Sequence, residues 1–204
     1  MMGILKRNYG WWIVALLATL PLIPLLSLVN VEFSNGLAIS PVEGDSVEML
    51  YHISGEFAIR WMTAVLTCTP FFILFGVNNL FVRQSMGIAT AVWSLLHFII
   101  FIWTEGVLET FTQFNYIVGF IAVLILIPLL FTSNRKSMKW LKAKWKQLQS
   151  MAYVAIFLSL LHVAILDKTW ILYAVIVGVG FVMRIPFIKE ALIAFRKKRG
   201  VGKA

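Results

Sequence analysis

The stretch SMGIATAVWSLLHFIIFIWT, residues 85–104, decides the fold of this chain. It runs for twenty residues without a lysine, arginine, aspartate or glutamate, the length a helix rising ~1.5 Å per residue needs to cross ~30 Å of hydrocarbon. Its one ionisable group is His97. An imidazole at bilayer depth is costly and marks a candidate functional site.

Working outward, the same reading applies along the whole chain. Of 204 residues, 60% are hydrophobic and 13% charged, with a mean hydropathy of +0.87. Helices are expected over roughly 11–30, 53–76, 84–104, 114–132, 150–166 and 169–185, each near the ~20 residues of a membrane span. The fold class is an all-α integral membrane protein, a bundle of six transmembrane helices forming a single domain over 1–204. No soluble catalytic domain fits in what remains, so any chemistry lies between the helices.

Charge sets the orientation. With the N-terminus inside, Lys6, Arg7, Arg83, the Arg135–Lys146 loop and the Arg184–Lys203 tail put 16 of the 18 basic residues on one side. Glu32, Glu43, Asp45, Glu48, Glu56, Glu105, Glu109 and Asp167 fall on the other, where only Arg60 and Lys168 are basic. Basic residues favour the cytoplasmic side, so both termini are expected inside, N-in/C-in. The net charge of +9 reads as topology with attraction to anionic lipid, not as a nucleic-acid surface. The first apolar run is too long for an ordinary leader and lacks a small-residue cleavage site, so an uncleaved helix is expected. Cys68 stands alone in mid-span, which leaves no disulfide framework or thiolate cluster.

Ser34-Asn35-Gly36 and Pro41 mark turns in the longest polar connection. Lysines interleaved with Trp140 and Trp145 suit a short helix lying at the headgroup level. Pro70 and Pro128 fall near the inner ends of their helices, where neighbours can satisfy the backbone groups that a proline frees.

Two of the three histidines lie deep. His97 is fourteen residues from Arg83 and eight from Glu105, ~21 Å and ~12 Å along a helix. His162 is sixteen residues from Lys146 and five from Asp167, ~24 Å and ~8 Å. Two antiparallel helices each offering imidazole at one level meet the needs of a haem held by two axial histidines. Trp93, Phe98, Phe101, Phe157 and Leu161 would supply bulk around it. A hydrogen bond between helices is the other use of an intramembrane histidine. His52 stands near the mouth of the second helix, with Glu56 and Arg60 on one face at i,i+4. Arg60 either pairs with Glu56 or forks onto haem propionates, with His52 lining the haem edge or an acceptor site.

These residues also carry a resemblance. Tyr51-His52-Ile53-Ser54-Gly55, Leu66 through Thr69-Pro70, Arg83-Gln84-Ser85-Met86-Gly87, Leu95-Leu96-His97, Phe131-Thr132-Ser133 and Trp145-x-x-Leu148-Gln149-x-x-x-Tyr153 occur in order before His162. From Asn35 to about Phe187 the chain resembles the ferric reductase-like transmembrane domain family, within it the haem-binding membrane subunits of bacterial methionine-sulfoxide reductase systems. The resemblance implies an inner-membrane protein holding at least one haem b, with His97 and His162 as axial ligands to the iron. It implies electrons drawn from membrane quinol or a flavin such as FMN and passed to a periplasmic molybdopterin-type reductase subunit that repairs oxidised methionine. It also exposes a departure: where the family's Trp-x-x-Leu is followed by a histidine linked to an inner haem, this chain has Gln149. Gln84 stands thirteen residues before His97 as Gln149 does before His162; related two-haem reductases hold a histidine pair at each of these levels, so the resemblance implies a degenerate inner site at Gln84, Gln149 and Arg83. The histidine pair lies ~20 Å from the inner surface, which makes quinol the simpler donor. A one-haem relative with another acceptor such as ferric iron, and a haem-free scaffold or transporter of the same fold, are the alternatives. No inverted repeat or pair of broken helices supports a transporter.

Overall fold

The computed structural model describes residues 2–32, 38–42, 45–77, 80–166 and 169–200, and the side chains of these other than 2–8 and 32. The turn expected at Ser34-Asn35-Gly36, together with Glu43, Asp167, Lys168 and Lys203, lies outside the described residues, as do the side chains of Lys6, Arg7 and Glu32. The elements are α1 (Met2–Thr19), α2 (Leu22–Leu26), β1 (Val29–Glu32), β2 (Ala38–Pro41), α3 (Ser46–Phe75), α4 (Leu80–Glu105), a 3-10 turn (Leu108–Phe111), α5 (Phe114–Thr132), α6 (Arg135–Leu141), α7 (Ala143–Gln149), α8 (Ala152–Ile165), α9 (Trp170–Val182) and α10 (Pro186–Lys198). Only the antiparallel β1–β2 pair, which sets Val29 against Pro41, departs from the all-α expectation. Leu17, Ile99, Leu124, Ile171 and Val175 are exposed on the bundle, an apolar exterior suited to lipid and not to water.

Among the described residues, five helices are long and apolar enough to cross a membrane, or six if the bent pair α9 and α10 is one span. The expected helix over 114–132 agrees with α5 at both ends. Other boundaries differ for local reasons. The first helix, expected unbroken over 11–30, stops at Thr19 and restarts at Leu22, because Pro21 offers no backbone donor. The second begins at Ser46 instead of 53, with Glu48 in its first turn, where a carboxylate suits the helix dipole. That places Tyr51 and His52 within α3, not before it. The sixth helix, expected over 169–185, ends at Val182 and the chain bends by 83° into α10. Pro186 opens α10, and Ile185 before it is extended at ψ 128°, as a residue preceding proline prefers. The helices expected to be unbroken are therefore interrupted at both ends of the chain. The short helix expected between Ser133 and Gln149 is in fact two, α6 and α7.

The main core joins Ile59, Met62 and Leu66 of α3 to Leu126 and Leu129 of α5, Ala155 and Ile156 of α8, and Val177 of α9. A second cluster sets Leu50 against Leu25, Trp93 and Ile100, and the Trp93 indole N–H donates to the Ala18 carbonyl at 2.9 Å, fastening α1 to α4. Pro70 of α3 is braced by α9 and the turn that follows it. Pro70 cannot donate to the Leu66 carbonyl one turn earlier, and the Arg184 guanidinium donates to that oxygen instead. Four residues before Arg184, Gly180 meets the proline ring so closely that a Cβ there would lie 3.2 Å from Pro70 Cγ. Arg196 of α10 donates to the carbonyls of Phe72 (2.6 Å) and Ile73 (3.1 Å), closing the C-terminal end of α3.

Candidate functional site

Four helices, α3, α4, α5 and α8, enclose a cavity of about 340 Å³ lined by both His97 and His162. Ile59, Met62, Phe98, Phe101, Phe120, Val123 and Leu126 supply its apolar wall. The volume falls in the range of cofactor pockets.

Each imidazole is held by its Nδ1 atom. The His162 Nδ1–H donates to the Asn115 carbonyl at 2.7 Å; a carbonyl only accepts, so Nδ1 carries the proton. His97 Nδ1 lies 2.9 Å from Ser54 Oγ. We assign the Ser54 hydroxyl proton to the Leu50 carbonyl, the shorter contact at 2.6 Å against 2.9 Å, which makes Oγ an acceptor and puts the His97 proton on Nδ1. Among the described residues neither Nε2 has a hydrogen-bond partner, and both rings line the one cavity. Glycine makes the approach possible on each side. A Cβ at Gly55 would lie 3.2 Å from the His97 ring, and one at Gly119 would lie 3.1 Å from His162.

The cavity extends to the end of the bundle where Glu48, His52, Glu56 and Glu105 line its mouth. Tyr51 stands edge-on to His97 with ring centres 6.3 Å apart, and its hydroxyl bonds to Thr104 and to Glu105. Arg60 does not line the cavity. Its Nε binds Glu56 at 2.9 Å, and the Tyr173 hydroxyl donates to the same carboxylate oxygen at 2.6 Å. Of the bulky residues expected around the histidines, Phe98 and Phe101 do line the cavity, whereas Trp93 is buried against Phe57 and Phe157 faces outward. Leu161 is not part of the lining.

Gln84 and Gln149 converge elsewhere, on the last turn of α5. Gln84 donates to the Ser133 carbonyl at 2.6 Å, and Gln149 to Thr132 Oγ1 at 3.1 Å and the Leu129 carbonyl at 3.3 Å. The Trp145 indole adds a bond to the Thr132 carbonyl at 2.8 Å. These donors satisfy carbonyls that a helix C-terminus leaves without partners. Arg83 is exposed nearby. Among the described residues, no group of three or more His, Cys, Asp or Glu is placed to hold a bare metal ion. Two imidazoles, an aromatic wall and glycine clearances would suit a flat, largely apolar cofactor that carries its own metal, with His97 and His162 as the residues that would hold it.

Sequence reasoning found the two histidines but missed Ser54, Asn115, Gly55 and Gly119. Ser54-Gly55 stood inside a quoted motif, yet neither residue type there signals a partner on another helix.

No family model matches the chain, and no solved structure matches it. Curated proteins do. Those of Brucella ovis, Brucella canis and Brucella suis, each named protein-methionine-sulfoxide reductase heme-binding subunit MsrQ, are 28% identical over 167 residues, covering 76% of this chain and 76% of each relative. The chain is similar to the MsrQ haem-binding subunits over about three-quarters of its length.

Proposed function

We propose that this chain is the haem-binding membrane subunit of a methionine-sulfoxide reductase system. His97 and His162 hold one haem b through Nε2, and electrons from membrane quinol leave toward a molybdopterin-type reductase on the outer face. One observation carries this reading: two imidazoles on non-adjacent helices, each held through its Nδ1, line one cavity. A histidine ligand to metal characteristically donates its other N–H to a carbonyl or similar acceptor. When bound, the haem supplies the one-electron chemistry, and the protein supplies ligands, orientation and a dry wall.

The chain's own residues divide that work by depth. Phe98, Phe101 and Phe120 exclude water from the iron level. Tyr51, His52 and Glu105 form the polar mouth on the side we assign to the periplasm from the basic-residue split. Arg60, bound to Glu56, would have to release that carboxylate to meet a propionate. At the opposite end the two glutamine amides close the α5 terminus, which supports one haem over two. Without an inner carrier, quinol reaching the site laterally from the bilayer is favoured over a cytoplasmic flavin.

The test is optical. Purified full-length protein should show b-type bands that a short-chain quinol reduces. Absence of haem bands would sink the reading. Bands reduced by a reduced flavin but not by quinol would replace the donor.

A further inference from the structure

The two imidazoles are held in the same tautomer by unlike acceptors. His162 donates to a backbone carbonyl, Asn115 O, which no side-chain change removes. His97 donates to a side-chain hydroxyl, that of Ser54, which is fully buried on α3. We propose that Ser54 is a positioning residue that sets the ligand strength of His97, and through it the redox poise of the bound group. The inference rests on the haem reading above and goes beyond it, because neither the histidines nor the resemblance assigns Ser54 any role.

The argument is one of proton inventory. A serine hydroxyl has one proton and two lone pairs. Ser54 gives its proton back along its own helix to Leu50 O at 2.6 Å, with the Tyr51 carbonyl farther off at 3.4 Å. Its oxygen is therefore an acceptor whose direction is fixed by the helix. That acceptor draws on the His97 N–H, raises electron density on the far nitrogen and keeps Nε2 unprotonated. Gly55, the next residue, lets the ring come close enough for the bond: a Cβ there would sit 3.5 Å from Nδ1 itself. Removing the hydroxyl would leave His97 in place but with an unmatched N–H. The imidazole becomes the weaker donor to iron, which favours the ferrous state.

The experiment compares wild-type protein with Ser54→Ala and Ser54→Cys, all full-length and purified, by haem-to-protein ratio and by spectroelectrochemical titration. Cysteine nearly preserves volume but accepts hydrogen bonds weakly. With haem retained, the ferrous-to-ferric ratio at a fixed potential should rise in the order Ser, Cys, Ala. The Ala change should be roughly 2- to 10-fold, as expected of one hydrogen bond of ordinary strength. Equal potentials across the haem-loaded variants would overturn the proposal and leave Ser54 a packing residue. Should Ser54→Ala lose its haem, the Cys variant decides: a raised potential upholds the proposal, and a wild-type potential overturns it. Wild-type protein without haem would overturn the reading on which the proposal rests, a result separate from any of these.

Discussion

At the scale of single residues, the account depends on how closely glycine lets each imidazole lie against its neighbouring helix. A methyl group at Gly119 would meet His162 Nδ1 at 3.1 Å, tighter than the packed interior tolerates without a shift. Gly119→Ala should lower haem retention several-fold while the protein still inserts. Gly178→Ala, whose added carbon meets nothing within 4 Å, should retain haem fully, and haem-to-protein ratios of the two variants check the contrast. The glutamines give a second expectation. Either Gln84→His or Gln149→His alone should leave one haem per chain, because the other amide still offers iron no imidazole. The double change should raise the count above one by pyridine haemochrome. His97 and His162 were legible in the sequence because an ionisable group inside an apolar run is conspicuous. Ser54 and Asn115 were not: a hydroxyl bonded along its own helix and a backbone carbonyl leave no mark until packing shows which ring reaches them. Arg60 was legible only as two alternatives, and packing gave it Glu56 and Tyr173 as partners.

At the scale of elements, Pro70 of α3 and its support from α9 and the turn after it form one unit. Arg184 supplies the donor that Pro70 withholds from the Leu66 carbonyl. Removing it leaves that oxygen unsatisfied, at a cost of about 1–3 kcal/mol. Arg184→Ala should therefore lower the thermal midpoint of the detergent-solubilised protein. Pro70→Ala restores an N–H to the helix, so the arginine change should cost clearly less in the Pro70→Ala background. A double-mutant cycle on the thermal midpoints measures that coupling, and strict additivity would refute that support. The elements themselves were unevenly legible. α5 was read at both ends because polar residues bracket a uniformly apolar run. The start of α3 was hidden because Ser46–His52 is too polar to count as a span, though it lengthens the helix by ~10 Å. The end of α9 was hidden for the opposite reason: apolar residues run on to Met183, past the end of the helix, and Arg184 and Pro186 are the marks of the bend.

At the scale of the whole molecule, composition pointed to a bundle of apolar helices long enough to cross a membrane, and the distribution of lysine and arginine sets the orientation we propose for it. Reporters fused after Lys203 and within Arg135–Lys146 should both be cytoplasmic, with one near Glu43 outside; a periplasmic C-terminus would turn the acidic mouth of the cavity inward. What sequence could not give was the meeting of α3, α4, α5 and α8 around one cavity, since helix order does not fix which faces converge. That convergence is the central claim, one haem between His97 and His162, and it is tested most directly by a pyridine haemochrome count. The purified wild-type chain should carry one b-type haem, and the His97→Ala/His162→Ala double variant should carry almost none while remaining in the membrane fraction. Full haem occupancy in the double variant would contradict the account.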